Sequence, residues 1–378
     1  MKAVTYQGIK DVQVKEVPDA KLIKEDDILV SVTSTAICGS DLHLVHGMMP
    51  NFPEGYIIGH EPMGIVEEVG PAVTKVKKGD RVVVPFNIAC GQCYFCTHEL
   101  ESQCDNANLH GQAGAYFGYS GTFGGYPGGQ AELLRVPYGN FVPFVVPEDC
   151  ELEDESLLFL SDIIPTAYWG VEQAEIKNGD TVIVLGCGPV GLFAQKFAWL
   201  KGAKRVIAVD YVQYRLEHAK RTNHVEVFDF TKIDDFGTYL KEITKGGADA
   251  VIDCVGMDGK KTAVEMIESA VGLQGGAMGA IQTASQAVRK GGIVSILGVY
   301  GTRYNMFPLG DFFSRNITLK MGQAPVIHFM PELYEMIKRE QFDPTDIITH
   351  KLPLSEAQRG YDIFDEKHDD CIKVILKP

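Results

Sequence analysis

Along the first 150 residues, apolar and polar positions alternate in short runs separated by turn residues. AVTYQ, DVQVKEV, ILVSVTSTAI, GIVEEVG, DRVVVP and QAELLRVP are rich in β-branched residues or alternate with period two. That is the pattern of strands with one buried face. Gly55, Gly59 and Gly64 punctuate the connections, and Gly79-Asp80 precedes a strand. An all-β, partly open barrel is the expected result. The segment 111–129, GQAGAYFGYSGTFGGYPGG, shows no periodicity. Its tyrosines and phenylalanines suit an ordered loop packed by its own rings better than a flexible linker.

Near residue 150 the pattern changes. ELEDESLLFL is acidic in front and apolar behind, as at a helix start. Strands then alternate with helices. TVIVL (181–185) leads to a helix over 189–201, and RVIAV (205–209) leads to a helix over 213–222. VEVFDF, ADAVIDCVG, GGIVSILGVY and NITLKMG supply further buried strands. Such alternation predicts parallel βαβ units, and so an α/β second domain. Residues 257–289 exceed what one crossover helix needs, and read as a helical insertion with a mobile, Gly-rich centre at 272–279. Helices over 331–340 and 355–366 and a last strand, CIKVILK, return the chain to its first domain.

Composition narrows the partners. With 378 residues, 45% of them hydrophobic, the chain can bury two cores. A formal charge of −15 repels phosphate backbones, so no nucleic-acid partner is expected. The opening MKAVTYQGIK lacks a secretory or organellar leader pattern. Thr181 to Leu200 approaches membrane-spanning length. It is interrupted by GCGPVG and Lys196, which fit a buried strand, a Gly turn and a buried helix, so no membrane partner is expected either. Nine scattered cysteines point to a reducing cytoplasm.

Cysteines also carry the first chemistry. CGQCYFCTHELESQC spaces Cys90, Cys93, Cys96 and Cys104 as C-x2-C-x2-C-x7-C. Two-residue gaps bring successive sulfurs close enough to share one ion, and four thiolates complete the closed shell of structural zinc. An odd, sparse cysteine count disfavours a disulfide framework. The ferredoxin spacing closes with three residues and a proline, whereas here the last gap is seven and Asp105 follows.

Gly186-Cys187-Gly188-Pro189-Val190-Gly191 follows a strand and opens a helix. Its glycines allow a tight turn, close approach of pyrophosphate and close helix–strand packing. The helix N-terminus adds free N–H groups and about half a positive charge. The second strand ends in Asp210, placed for the ribose hydroxyls. A 2′-phosphate ~4 Å from that carboxylate meets a repulsion of roughly 4 kcal/mol at an effective dielectric near 20. NAD is therefore the expected cofactor. Arg215 could offset part of the repulsion or stack on adenine, and Val255 completes the expected cofactor set.

ICGSDLHLVHG carries Cys38, Ser40, Asp41, His43 and His46, and GHEPMG carries His60 and Glu61. Together they offer a thiolate and an imidazole for a second zinc. Ser161-Asp162, ahead of Pro165, has the form of a helix N-cap.

The order CGSDLH, GHEPMGIVEEVG, the cysteine run and GCGPVG resembles the zinc-containing medium-chain alcohol dehydrogenases over essentially the full length. The resemblance implies a GroES-like all-β catalytic domain, 1–163 completed by 324–378, and a Rossmann doubly wound parallel-sheet domain, 164–323. It implies Cys38 and His60 as ligands of a catalytic zinc, Asp41 orienting His60, and Ser40 and His43 as a proton relay, with Glu61 beside them. Many relatives have cysteine as the third ligand, where this chain reads SDIIPT. SDIIPTAYWG, GGYPGGQAELLRVP and GQAPVIHF are similar to the glutathione-independent formaldehyde dehydrogenase and dismutase branch. That likeness implies Asp162 as the third ligand and Thr166 at the nicotinamide. It further implies a homo-oligomer, dimer or tetramer, acting on a small alcohol or hydrated aldehyde. A polyol or secondary-alcohol dehydrogenase, and a non-catalytic NAD-binding protein, are the alternatives.

Overall fold

The computed structural model describes all residues except 50–51, 110, 112, 257–258, 260–276 and 302–306. The chain forms two compact units, Met1–Pro165 with Ala324–Pro378, and Thr166–Gln323.

In the first unit, β1 (Lys2–Gly8) and β2 (Asp11–Glu16) pair as a hairpin. β3 (Ile28–Ile37) is the long central strand of a seven-stranded sheet, and α1 (Gly39–Val45) follows it directly. β4 (Glu61–Val69) and β5 (Arg81–Val83) extend the sheet on one side. β6 (Asn87–Ile88) pairs with β7 (Ala115–Tyr116), β8 (Leu133–Val136) pairs with β3, and β9 (Phe144–Val145) closes the edge beyond β5. Strand Lys373–Lys377 lies on the other side of β3, followed by Ile348–Pro353. Alternate residues of these strands point inward, and Val30, Val66, Val82, Ile88, Phe117 and Leu134 form one core. The 111–129 loop is held by its own rings, with Tyr116 stacked on Phe123 at 4.9 Å and Tyr119 edge-on to Phe123 at 5.2 Å.

Two expectations shift. The helix expected over 331–340 spans Val326–Lys338, with Pro331 inside it. A proline there costs about 3 kcal/mol. Val326, Phe329, Met330, Leu333 and Ile337 lie on its buried stripe. Each large apolar side chain buried contributes about 1.5–3 kcal/mol, enough to offset the proline. Most of the 257–289 insertion lies outside the described residues. Of its expected mobile centre, Ala277 and Met278 are buried, and Gly279 opens the helix Gly279–Ala287.

The second unit is a six-stranded parallel sheet. α2 (Asp154–Leu157) lies before it in the chain, and α3 (Ile163–Gln173) leads into it. β10 (Thr181–Leu185), β11 (Arg205–Asp210), β12 (Glu226–Asp229), β13 (Ala248–Asp253), β14 (Val288–Ile296) and β15 (Thr318–Met321) follow in sequence. Their spatial order is β12-β11-β10-β13-β14-β15. Chain progression reverses between β10 and β13, the switch point at which such sheets bind ligands. The run from Thr181 to Leu200 resolves into β10, a turn, and α4 (Pro189–Leu200). Among the described residues no helix is long and apolar enough to cross a membrane. α5 (Gln213–Thr222) follows β11.

Candidate active site and metal centres

The four-cysteine lobe has the dimensions of a zinc site. Four thiolates ~2.3 Å from a tetrahedral centre lie about 3.8 Å apart. Here Cys93 Sγ is 3.5 Å from Cys96 Sγ and 3.9 Å from Cys104 Sγ, and Cys90 Sγ is 3.9 Å from Cys96 Sγ. A disulfide needs about 2.05 Å, and all four cysteines are free. Backbone N–H groups of Gln92 and Cys93 and the Asn106 amide donate to Cys90 Sγ, while the Cys90 N–H donates to Cys104 Sγ. The hydrogen bond from Cys96 lowers the pKa of the Cys104 thiol and raises that of Cys96.

A second cluster is built by strand register. Ala36 at the end of β3 pairs with Glu61 at the start of β4. Cys38, just past β3, and His60, just before β4, therefore leave the sheet side by side. Asp162 arrives from 124 residues away on the buried turn Leu158–Ser161, whose Ser161 carbonyl accepts from Phe86 N at 2.9 Å. Asp162 Oδ2 lies 3.5 Å from Cys38 Sγ and 3.2 Å from His60 Nε2. Sulfur, nitrogen and oxygen ligands on one tetrahedral zinc are separated by about 3.5 Å (S to O) and about 3.3 Å (N to O). Glu61 is the fourth member, and the ligand atoms of all four lie within 4.8 Å of one another.

Charge at this cluster is one-sided. Glu61 Oε1 accepts from Lys373 Nζ at 2.7 Å, both side chains being fully buried, while among the described residues Glu61 Oε2 has no hydrogen-bond partner. Lys373 also donates to Ile37 O at 2.9 Å. Burial, with Glu61 and Asp162 nearby, pushes the Cys38 thiol up to about 11. Burial also raises Glu61. For His60, burial acts to lower the pKa, but Asp41, Cys38 and Asp162 outweigh it and hold it high. Three potential anions thus face the ammonium of Lys373, and a divalent cation would bring the sum to zero. Thiolate, imidazole and carboxylate are a donor set suited to zinc.

The surrounding residues are ordered from α1. Asp41 Oδ2 accepts from Cys38 N at 3.0 Å, and Asp41 Oδ1 lies 3.0 Å from His60 Nδ1. Ser40 and His43, three residues apart, share one side of α1. His43 is buried with Nδ1 3.3 Å from Tyr119 Oη, and His46 instead faces Asp365 at 3.0 Å. Thr166 is half-buried in the first turn of α3.

In the second unit, Gly186 has φ +95°, a left-handed turn directly after β10. A Cβ on Gly191 would lie 2.0 Å from Gly186 O, so only glycine allows α4 to start this close to β10. Gly188 caps α4 and Pro189 is its first residue, with Val190 next. Val255 lies against Gly186, its Cγ2 3.1 Å from where a Cβ would sit. The Arg215 guanidinium reaches Gly188. Asp210 accepts from Cys187 N at 2.7 Å, Tyr211 N at 2.7 Å and Val212 N at 3.0 Å. It thereby joins the end of β11 to the glycine turn.

Lys373, Gln130 and Tyr361 escaped the reading of the chain alone. A lysine opening the apolar run KVIL carried a signal for the first. Gln130 and Tyr361 carried none, being ordinary residues of a loop and a helix.

Residues 24–148 match the family described as alcohol dehydrogenase GroES-like domain, and residues 189–273 the family described as zinc-binding dehydrogenase. The chain is 66% identical, over 100% of both chains, to the zinc-type alcohol dehydrogenase-like protein AdhB of Bacillus subtilis. It is 33% identical to a glutathione-independent formaldehyde dehydrogenase of the same species, covering 97% of this chain and 94% of that one. Alcohol dehydrogenase TADH from Thermus sp. ATN1 superposes with a TM-score of 0.85 at 35% identity, over 100% of this chain and 99% of that one.

Proposed function

The chain belongs to the zinc-type alcohol dehydrogenases, and from that premise we propose that it oxidises a small alcohol or hydrated aldehyde with NAD, formaldehyde being the preferred substrate. The convergence of Cys38, His60 and Asp162 at zinc-ligand separations carries this reading. These three would hold the catalytic zinc, and Cys90, Cys93, Cys96 and Cys104 the structural one. The Gly186–Gly191 turn and the start of α4 would hold the pyrophosphate, with Asp210 toward the ribose. When bound, zinc supplies the Lewis acid that makes a hydroxyl acidic near neutral pH, and NAD supplies the hydride acceptor.

The chain's own side chains do the rest. Asp41 keeps the His60 ring turned with Nε2 toward Cys38 and Asp162. Ser40 would take up the hydroxyl proton as it gives up its own, and His43 would carry that proton onward. The Phe86 ring stands edge-on to His60 at 6.2 Å and helps keep the ligand shell dry. Asp162 in place of a second thiolate preserves the charge balance but donates less electron density, which favours a stronger Lewis acid. In water formaldehyde is a gem-diol, so loss of a hydride and a proton yields formic acid, which releases a second proton to give formate.

The test is a substrate panel with the purified two-zinc protein. Formaldehyde is expected to exceed short primary alcohols and polyols in kcat/KM, with NAD preferred over NADP by about 10²–10³-fold from the Asp210 repulsion. Preference for a polyol, or for NADP, would overturn the reading. The structural site makes its own prediction. Cys104→Ser is expected to bind one zinc per chain instead of two. A loss of about 4 kcal/mol, well below the binding energy of structural zinc sites, corresponds to a Tm lower by roughly 10 °C. Calorimetry with metal analysis checks both.

A further inference from the structure

Gln130 precedes β8 and is fully buried, and both ends of its amide are engaged. Nε2 donates to Ala36 O at 3.1 Å and to Asp41 Oδ2 at 3.2 Å. Oε1 accepts from Tyr361 Oη at 2.8 Å. The backbone is held equally firmly, with its N–H donating to Ile58 O at 3.2 Å and its carbonyl accepting from Val4 N at 2.8 Å. Its methylenes rest on Gly59, whose φ is +94° and where a Cβ would come within 2.2 Å of Gln130 Cγ.

This one side chain therefore meets the backbone leading to both Cys38 and His60. Ala36 lies two residues before Cys38, and Gly59 immediately precedes His60. Asp41 accepts from Cys38 N and faces His60 Nδ1. The amide has only one workable orientation. Turned over, its oxygen would face a carbonyl and a carboxylate, two acceptors, and its NH2 would face the Tyr361 hydroxyl. A donor at the Oε1 end selects the correct orientation, and Tyr361, itself buried on the helix Ala357–Asp365, supplies it.

We propose that Gln130, oriented by the Tyr361 hydroxyl, is a positioning residue of the catalytic metal site, setting the Asp41 carboxylate and through it the His60 ring and the Cys38 backbone. The proposal rests on the reading that Cys38, His60 and Asp162 hold zinc. Residues beyond the ligands typically change metal affinity 10- to 100-fold when their hydrogen bonds are removed.

The experiment measures zinc affinity by chelator competition in the full-length protein, resolving the two sites, for the parent, Tyr361→Phe and Gln130→Met. Tyr361→Phe deletes one oxygen. Gln130→Met keeps the volume against Gly59 but removes the amide. At the Cys38 site, affinity is expected to fall about 10-fold in Tyr361→Phe and about 100-fold in Gln130→Met. The four-cysteine site, which shares none of these hydrogen bonds, is expected to be unchanged and serves as the internal reference. Unchanged affinity at the Cys38 site in folded Tyr361→Phe overturns the proposal even if Gln130→Met does not fold. Parallel weakening of both sites also overturns it, because that is the mark of general loosening. A parent that binds zinc only at the four cysteines removes the underlying reading of the site, and this is visible before any variant is compared.

Discussion

Cys38→Ala is expected to lower kcat/KM by about 10⁴-fold and to reduce bound zinc from two per chain to one. The magnitude follows from the Lewis acid: metal stabilisation of an alkoxide-like charge is worth several kcal/mol, and about 5.5 kcal/mol is 10⁴-fold in rate. Cys38 would be the soft ligand of the proposed set and is 7% exposed. Without it, only a carboxylate and an imidazole of the proposed set remain, fewer than the three protein ligands a catalytic zinc needs. The fold should survive. Replacing one small buried side chain costs about 1 kcal/mol, and the four-cysteine lobe lies on a different segment of the unit. Metal analysis, circular dichroism and steady-state kinetics on one preparation test the three parts together. Near-normal turnover with one zinc bound would remove Cys38 from the mechanism.

Lys373→Met is expected to cost about 3–5 kcal/mol of stability. The ammonium is fully buried, 2.7 Å from Glu61 Oε1 and 2.9 Å from Ile37 O, and it stands 5.5 Å from the Phe159 ring centre. Burial acts to lower its pKa, yet Glu61 and Cys38 more than compensate and raise it, while burial raises that of Glu61. Removing one partner leaves Glu61 as an uncompensated buried charge, which is the expensive way to break such a pair. Removing both is different, because two desolvation penalties vanish with the attraction. The double variant Glu61→Leu with Lys373→Met should therefore recover at least half of the loss in chemical denaturation. Additive losses in that cycle would show that the ion pair is not the source of the effect.

Much of the architecture was legible from residues in order. The period-two runs before 150 and the strand–helix alternation after it distinguish a mostly antiparallel unit from a parallel one, since each periodicity states which faces are buried. β10 and the helix over 213–222 have the expected bounds, and α4 differs from expectation by one residue. Pro331 misplaced a helix start because burial of a long apolar stripe overrode a local rule.

The two metal sites differ in the same way. The sulfurs of Cys90, Cys93 and Cys96 are brought together by gaps of two residues, so their geometry was implicit in the spacing. Likewise, the turn at Gly186–Gly191 needs only its own glycines and the adjoining strand. Cys38, His60 and Asp162 share no such local constraint. Resemblance to a family suggested Asp162, while local chemistry alone suggested an N-cap.

What the sequence by itself determined is thus the short-range structure: which segments are strands or helices, where four thiols gather, and where a glycine turn opens a helix. Tertiary structure alone decided which distant groups share one dry space. The β3–β4 register set Cys38 beside His60, a turn carried Asp162 across 124 positions, and strand Lys373–Lys377 brought a cation 312 positions to Glu61. The reason is that a buried charge is tolerable only beside its partner. That condition is met in space by strand pairing and core packing, which leave almost no trace along the chain.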